Sequence, residues 1–178
     1  MLPNFPTLLT WLRVLAIPLL VAVYYLPIAP AMQNLLATAL FIGAALTDWL
    51  DGWLARRLGQ TSAFGAFLDP VADKLIVCVA LVMLVHLDRV DPVVAAIIIG
   101  RELTISALRE WMAQMGARAS VAVHSIGKFK TAAQLVSIPL LLYDRPLFGL
   151  IDCRLLGTWL IYAAAVLTVW SMLYYLRR

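Results

Sequence analysis

The stretch Thr47–Lys74, TDWLDGWLARRLGQTSAFGAFLDPVADK, is the part of the chain that decides the predicted fold and function. It holds four aspartates, at positions 48, 51, 69 and 73, between strongly apolar flanks. The first two are three residues apart and the last two are four apart, so on helices each pair lies on one face. Because hard divalent cations prefer carboxylate oxygens, two such pairs on neighbouring helices predict a cation site.

Small residues accompany both acidic pairs. Gly52 and Ala55 share a helix face with the first pair, and Gly65 shares a face with the second. Small side chains allow a helix or a ligand to approach the backbone closely. A simpler interpretation treats the acids as loop charges paired with neighbouring Arg and Lys side chains. The repetition of one pattern on two helices favours the cation site.

The composition is typical of an integral membrane protein. Of 178 residues, 63% are hydrophobic and 13% are charged, whereas soluble domains carry about 25% charged residues. A net charge of +4 in such a protein more often sets topology or meets anionic lipid than it binds nucleic acid. No nucleic-acid motif is visible, so no nucleic-acid partner is expected. The length predicts a single domain over residues 1–178.

The hydrophobic pattern predicts an all-α protein with six transmembrane helices. Prolines at 27 and 30 divide an uncharged run that is too long for one crossing, and Pro92 fits the first turn of a later helix. Asp144 to Pro146 end another helix. The predicted helices cover roughly residues 7–26, 32–57, 62–86, 92–115, 126–143 and 155–176.

The basic residues predict the orientation of these helices. Loops 2–3 and 4–5 and the C-terminus hold most of the Arg and Lys residues, while the other loops hold only Arg89, Arg145 and Arg154. The positive-inside rule then places both termini and the acidic stretch on the cytosolic side. Arg13, near the start of the first helix, is expected to reach towards lipid headgroups rather than towards the site.

The acidic stretch resembles a known enzyme signature at every fixed position. Asp48-x2-Asp51-Gly52-x2-Ala55-Arg56-x8-Gly65-x3-Asp69-x3-Asp73 is similar to that of the CDP-alcohol phosphatidyltransferase family. The segments NFPTLLTWLRVLAIP, RELTISALREW and GKFKT resemble the bacterial members of this family that make phosphatidylglycerophosphate. The likeness covers most of the chain.

This resemblance implies a specific fold, location and reaction. It implies the six-helix fold of the family in the bacterial inner membrane, commonly as a homodimer among membrane lipids. It also implies transfer of the phosphatidyl group from CDP-diacylglycerol to sn-glycerol 3-phosphate, with release of CMP, as a step of phospholipid biosynthesis. We hypothesise that the acceptor hydroxyl attacks the phosphorus next to diacylglycerol and that Asp73 removes its proton.

The resemblance also assigns roles to individual residues. Two divalent cations, Mg²⁺ or Mn²⁺, are expected on Asp48, Asp51, Asp69 and Asp73. Cytidine diphosphate is expected against Gly52, Ala55, Arg56 and Gly65.

The acceptor is predicted from charge as well as from likeness. A phosphorylated acceptor needs cations, and five basic residues of the second half are candidates: Arg101, Arg109, Arg118, Lys128 and Lys130. These residues also fit loop charges or lipid contacts, and Glu102 is a candidate partner of Arg101. Serine or inositol phosphate as the acceptor, an intramembrane prenyltransferase and a divalent cation carrier are the alternative functions.

Overall fold

Six α-helices and one short β-hairpin make up the described part of the chain. The computed structural model describes residues 5–58, 63–114, 125–147 and 149–176, without some of the side chains within these ranges. The elements are α1 (Phe5–Val23), α2 (Pro30–Leu58), α3 (Ala63–His86), α4 (Pro92–Gln114), α5 (Ser125–Tyr143), β1 (Pro146–Leu147), β2 (Ile151–Asp152) and α6 (Cys153–Leu176). The six predicted helices are therefore present.

The helix starts follow from local chemistry. Pro30 and Pro92 occupy first helical positions, where the missing N–H costs nothing. Asp91 accepts a hydrogen bond from the Val93 amide at 2.8 Å, which is the usual N-cap contact. Asp152 caps α6 in the same way, through the Arg154 amide at 2.9 Å. This cap explains why α6 begins two residues before the predicted start.

The helix ends differ from the prediction for equally local reasons. α1 ends at Val23 rather than near residue 26, because Tyr24, Tyr25 and Leu26 donate to carbonyls three residues back. α3 ends in a Schellman-type turn, in which the Arg89 amide donates to the Leu84 carbonyl at 2.9 Å and Asp88 has a φ of 54°. These turns satisfy carbonyls that a helix end leaves free.

A short β-hairpin between α5 and α6 accompanies the predicted helices. Pro146 pairs with Asp152 and Leu147 with Ile151, in antiparallel register. Pro146 cannot extend α5 because it lacks an N–H, but it is tolerated at the start of an edge strand. Gly149, with a φ of 71°, allows the tight turn that the Leu150 amide closes on the Leu147 carbonyl at 3.1 Å.

The chain divides into two compact units, Met1–Met83 and Leu84–Arg178, with the boundary inside α3. In the first unit, α1 packs against α2. Buried residues recur every three or four positions on each helix. They are Ala16, Leu20 and Val23 on α1, Ala37, Phe41 and Ala44 on α2, and Ala72, Ile76 and Ala80 on α3. The many alanines permit close approach of the helices.

In the second unit, α6 packs against both α4 and α5. Its core contains Ile98 of α4, Leu141 and Leu142 of α5, and Ile161 and Ala164 of α6. The opposite face of α6 exposes large apolar side chains, namely Leu155, Trp159, Tyr162, Val166 and Trp170. An exposed apolar stripe of this kind is typical of a surface that faces lipid or a partner.

Two helices in the described part of the chain are long and apolar enough to cross a bilayer. They are Pro30–Asp48 and Cys153–Ser171, judged by length and composition alone. The helix count of the prediction is thus confirmed, whereas its count of six membrane spans is not.

Candidate functional site

Two buried polar side chains of α1 mark the site in the first unit. Thr10 and Arg13 are each 1% exposed and lie three residues apart, so they share one face of α1. A buried guanidinium is stable only with hydrogen-bonded carboxylates around it. The positions of its partners therefore decide what this face of α1 does.

Arg13 contacts aspartates from two other helices. Its Nη1 lies 2.5 Å from Oδ1 of Asp73 on α3 and 3.4 Å from Oδ1 of Asp48 on α2. The two carboxylates are 39% and 50% exposed, respectively. One nitrogen atom thus joins three helices, and both carboxylates remain reachable from outside.

Thr10 binds Asp69, which is the remaining signature aspartate with a described side chain. Its hydroxyl donates a hydrogen bond to Oδ1 of Asp69, one turn before Asp73 on α3. The interaction fixes the orientation of this carboxylate and leaves Oδ2 for other ligands. α1 therefore supplies donors to all three of these aspartates.

The donor atoms of these aspartates are of the type that binds a divalent cation. Carboxylate oxygens from α2 and α3 both lie within 3.4 Å of Arg13 Nη1, so a positive charge already stands between the two acidic helices. Hard cations take this type of donor. Among the described side chains no three acidic, His or Cys residues are clustered closely enough to hold a metal.

The remaining signature residues are placed by the backbone alone. Asp51, Gly52, Ala55 and Arg56 lie on α2 with Asp48, and Gly65 lies on α3 with Asp69 and Asp73. The side chains of these five residues lie outside the described part of the chain. The prediction that each acidic pair lies on one helix is confirmed.

Four of the five candidate acceptor cations lie on α4 and α5. Arg101 of α4 is 11% exposed and contacts Glu102 at 2.7 Å through Nη1, as expected for a partner of this arginine. Its buried Nε has no hydrogen-bond partner among the described residues. Arg109 lies on α4, and Lys128 and Lys130 lie on α5, with side chains outside the described part. Arg118 is itself outside the described residues.

A comparison with protein families decides the classification. The family model described as CDP-alcohol phosphatidyltransferase matches residues 3–170. The chain belongs to the CDP-alcohol phosphatidyltransferase family. The resemblance seen in the acidic signature is therefore confirmed over nearly the whole length, and the family provides the context for the three aspartates around α1.

Curated relatives of this phosphatidyltransferase are similar over almost their entire length. A protein of Salmonella choleraesuis (strain SC-B67) is 52% identical over 175 residues, covering 97% of this chain and 93% of that protein. Proteins of Shigella flexneri serotype 5b and Escherichia coli (strain K12) are each 51% identical with the same coverage. All three are named CDP-diacylglycerol–glycerol-3-phosphate 3-phosphatidyltransferase.

The α1 residues of the site are where the sequence interpretation was incomplete. Arg13 was expected to reach towards headgroups, but this expectation is wrong, because the side chain is 1% exposed and paired with two aspartates. Thr10 was not predicted at all. The available signal was the spacing of two polar residues, one turn apart, on an otherwise apolar helix, which places them on one face.

Proposed function

We propose that this protein transfers the phosphatidyl group of CDP-diacylglycerol to sn-glycerol 3-phosphate, forming phosphatidylglycerophosphate and CMP. The proposal is supported by relatives that are 51–52% identical over 97% of the chain and carry the name of this activity. The structural observation that carries it is the convergence of Asp48 and Asp73, from two helices, on one positive charge. Carboxylates that converge in this way can hold the divalent cations that neutralise a pyrophosphate.

In the proposed reaction, the acceptor hydroxyl oxygen forms a bond to the phosphorus next to diacylglycerol, and the bond from that phosphorus to CMP breaks. Asp73 accepts the proton of the hydroxyl as general base. Its side chain is 39% exposed, so an acceptor can reach it. The contact with Arg13 fixes its orientation, which is what a positioned base needs.

The cation ligands are Asp48, Asp51, Asp69 and Asp73, and the cations are two Mg²⁺ or Mn²⁺ ions. When bound, they would neutralise the pyrophosphate and stabilise the departing CMP. Gly52, Ala55 and Gly65 allow the nucleotide close to the backbone, and Arg56 pairs with its phosphates. The carboxylate donors described around α1 support this assignment.

Basic side chains are proposed to hold the phosphate of the acceptor. Arg101 is one candidate, and its Nη1 already contacts Glu102. Arg109, Arg118, Lys128 and Lys130 are the further candidates. A phosphate with two negative charges needs more than one cation. The presence of five candidate cations therefore favours glycerol 3-phosphate, which carries a phosphate, over serine, which does not.

The protein is proposed to cross the bacterial inner membrane six times, as a homodimer, with both termini and the active site facing the cytosol. The two apolar helices Pro30–Asp48 and Cys153–Ser171 and the exposed apolar stripe of α6 support insertion into lipid. The distribution of Arg and Lys supports the orientation.

The test is a CMP-release assay with detergent-purified protein, CDP-diacylglycerol and a panel of alcohols. We expect sn-glycerol 3-phosphate to be the preferred acceptor and EDTA to abolish turnover until Mg²⁺ or Mn²⁺ is restored. Asp73→Asn should lower kcat by about 100-fold or more, because an amide cannot accept the proton. Asp91→Asn is the matched control, since Asn caps a helix as well as Asp does.

Each part of the proposal has an outcome that contradicts it. Preferential use of serine or inositol phosphate would replace the acceptor. Wild-type turnover by Asp73→Asn would remove the assigned base. Cation flux into liposomes without CMP release would favour a carrier over an enzyme.

A further inference from the structure

Arg13 is a buried cation that contacts two aspartates of the acidic site. It lies on α1, whereas the predicted ligands lie on α2 and α3. Its side chain is 1% exposed, so it cannot exchange its carboxylate partners for water. Whatever binds between Asp48 and Asp73 must therefore accommodate this charge.

The contacts of Arg13 use the same atoms that a cation would use. Its Nη1 is 2.5 Å from Oδ1 of Asp73 and 3.4 Å from Oδ1 of Asp48. A carboxylate oxygen that accepts from a guanidinium has less electron density for a metal, and the positive charge itself repels a second cation. In the absence of any cation, the guanidinium instead offsets the repulsion between the two acids.

We propose that Arg13 is a positioning residue that serves as an internal counter-cation: it holds Asp48 and Asp73 together in the metal-free protein and lowers the affinity of the site for divalent cations. This inference rests on the proposed function, because it takes these aspartates to be the cation ligands. It goes beyond that function by assigning a role to α1 and by predicting how the cation affinity is set. The phosphate oxygens of a bound nucleotide would then raise the cation affinity further.

The proposal predicts a change that loss of a structural contact would not cause. Arg13→Gln, which removes the charge, should bind Mn²⁺ more tightly than the wild type does. We expect the Kd to fall by about tenfold, a modest change because the two carboxylates are partly exposed and solvent screens the repulsion. The same variant should unfold at a lower temperature in EDTA, and saturating Mn²⁺ should remove most of that difference.

The experiment measures Mn²⁺ binding by the loss of the free-ion paramagnetic resonance signal, without nucleotide, on full-length detergent-purified protein. All variants are purified with Mn²⁺ and then freed of it with EDTA before titration. Thermal unfolding is recorded with EDTA and with Mn²⁺. Arg13→Lys keeps the charge and should bind Mn²⁺ within about threefold of the wild type.

The outcomes separate this proposal from the proposed function. Equal or weaker Mn²⁺ binding by Arg13→Gln overturns the counter-cation role while leaving the metal site intact. Equal tightening by Arg13→Lys also overturns it, because charge would not be the cause. The proposal also requires Mn²⁺ to replace the charge of Arg13, so failure of Arg13→Gln to fold in Mn²⁺ overturns it. If neither wild type nor variant binds Mn²⁺, the metal site of the proposed function is itself wrong.

Discussion

Arg89 binds the C-terminal end of α5 in the second unit. Its replacement should lower the stability of the protein without changing the proposed site. Its Nη1 donates to the carbonyls of Leu141 at 3.0 Å and Leu142 at 2.8 Å. Its Nε lies 3.3 Å from Oδ2 of Asp144. Neither carbonyl can accept the usual helical hydrogen bond from the amide four residues later, because α5 ends at Tyr143. For Leu142 that later residue is Pro146, which has no amide hydrogen.

The magnitude follows from these contacts. Arg89→Met removes two charge-assisted hydrogen bonds, each worth about 1.5–3 kcal/mol, and leaves Asp144 with less neutralisation. Arg154, 3.8 Å from Asp144 Oδ1, compensates in part. Because the Arg89 side chain is only 9% exposed, solvent replaces little of what is lost, and we expect a total loss of about 3 kcal/mol. For a chain of this size that corresponds to a decrease in Tm of about 6–12 °C.

The assay is thermal unfolding in detergent at one scan rate, with Arg145→Met as the matched control. Arg145 is an exposed arginine in the next turn, so its replacement should change stability by about 0.5 kcal/mol at most. CMP release per folded molecule should stay near wild type in both variants, because neither residue belongs to the proposed site. A Tm of Arg89→Met that equals that of Arg145→Met would refute the argument that these contacts stabilise the unit.

Two further predictions concern packing and the α1 contact with α3. Gly157→Ala places a Cβ 2.8 Å from Cγ of Leu141 and should lower the free energy of unfolding by about 1–3 kcal/mol. Gly43→Ala is the control, because its Cβ would have nothing within 4 Å, and it should be neutral or stabilising. An equal Tm for the two variants would contradict the packing argument. Thr10→Val removes the hydroxyl that binds Asp69 and should lower the rate of CMP release about tenfold. Thr10→Ser keeps the hydroxyl and should release CMP at nearly the wild-type rate. An equal loss of activity in both variants would show that the methyl group, and not the hydroxyl, matters.

The helical framework could be predicted because its signals are local. Pro92 marked the start of α4, and Pro27 and Pro30 divided the apolar run into α1 and α2, although the predicted start of α2 was two residues late. The acidic spacing placed Asp48 and Asp73 on separate helices. The start of α6 was missed by two residues although Asp152 is a readable N-cap. The hairpin at Pro146–Asp152 was not predictable in the same way, since two-residue strands depend on the tertiary positions of the helices they connect.

The site was predicted in part for a related reason. The aspartates stand within one continuous stretch, so their spacing is visible in the sequence. Thr10 and Asp69 are separated by 59 positions, and no pattern in a single sequence states that such residues meet. The local clue was that Thr10 and Arg13 are polar in an apolar helix, which indicates a buried partner. The interpretation of Arg13 as a headgroup contact was wrong because it relied on the position of Arg13 near the start of α1. It did not consider that Arg13 shares a helix face with Thr10.

The pairing of Arg13 with the aspartates also links the stability of the first unit to its proposed chemistry. Burying a guanidinium costs several kcal/mol, and the cost is offset only while its carboxylate partners remain charged. Asp73 is the nearer partner, at 2.5 Å, so replacing it with Asn removes the proposed proton acceptor and at the same time leaves Arg13 poorly compensated. Asp69 pairs with a neutral hydroxyl instead, so its replacement leaves no buried charge uncompensated. A fall in turnover of Asp73→Asn therefore measures catalysis only when it is expressed per folded molecule. Asp69→Asn, which removes a proposed cation ligand without removing a partner of Arg13, shows how much of that fall the loss of a ligand carboxylate alone would cause.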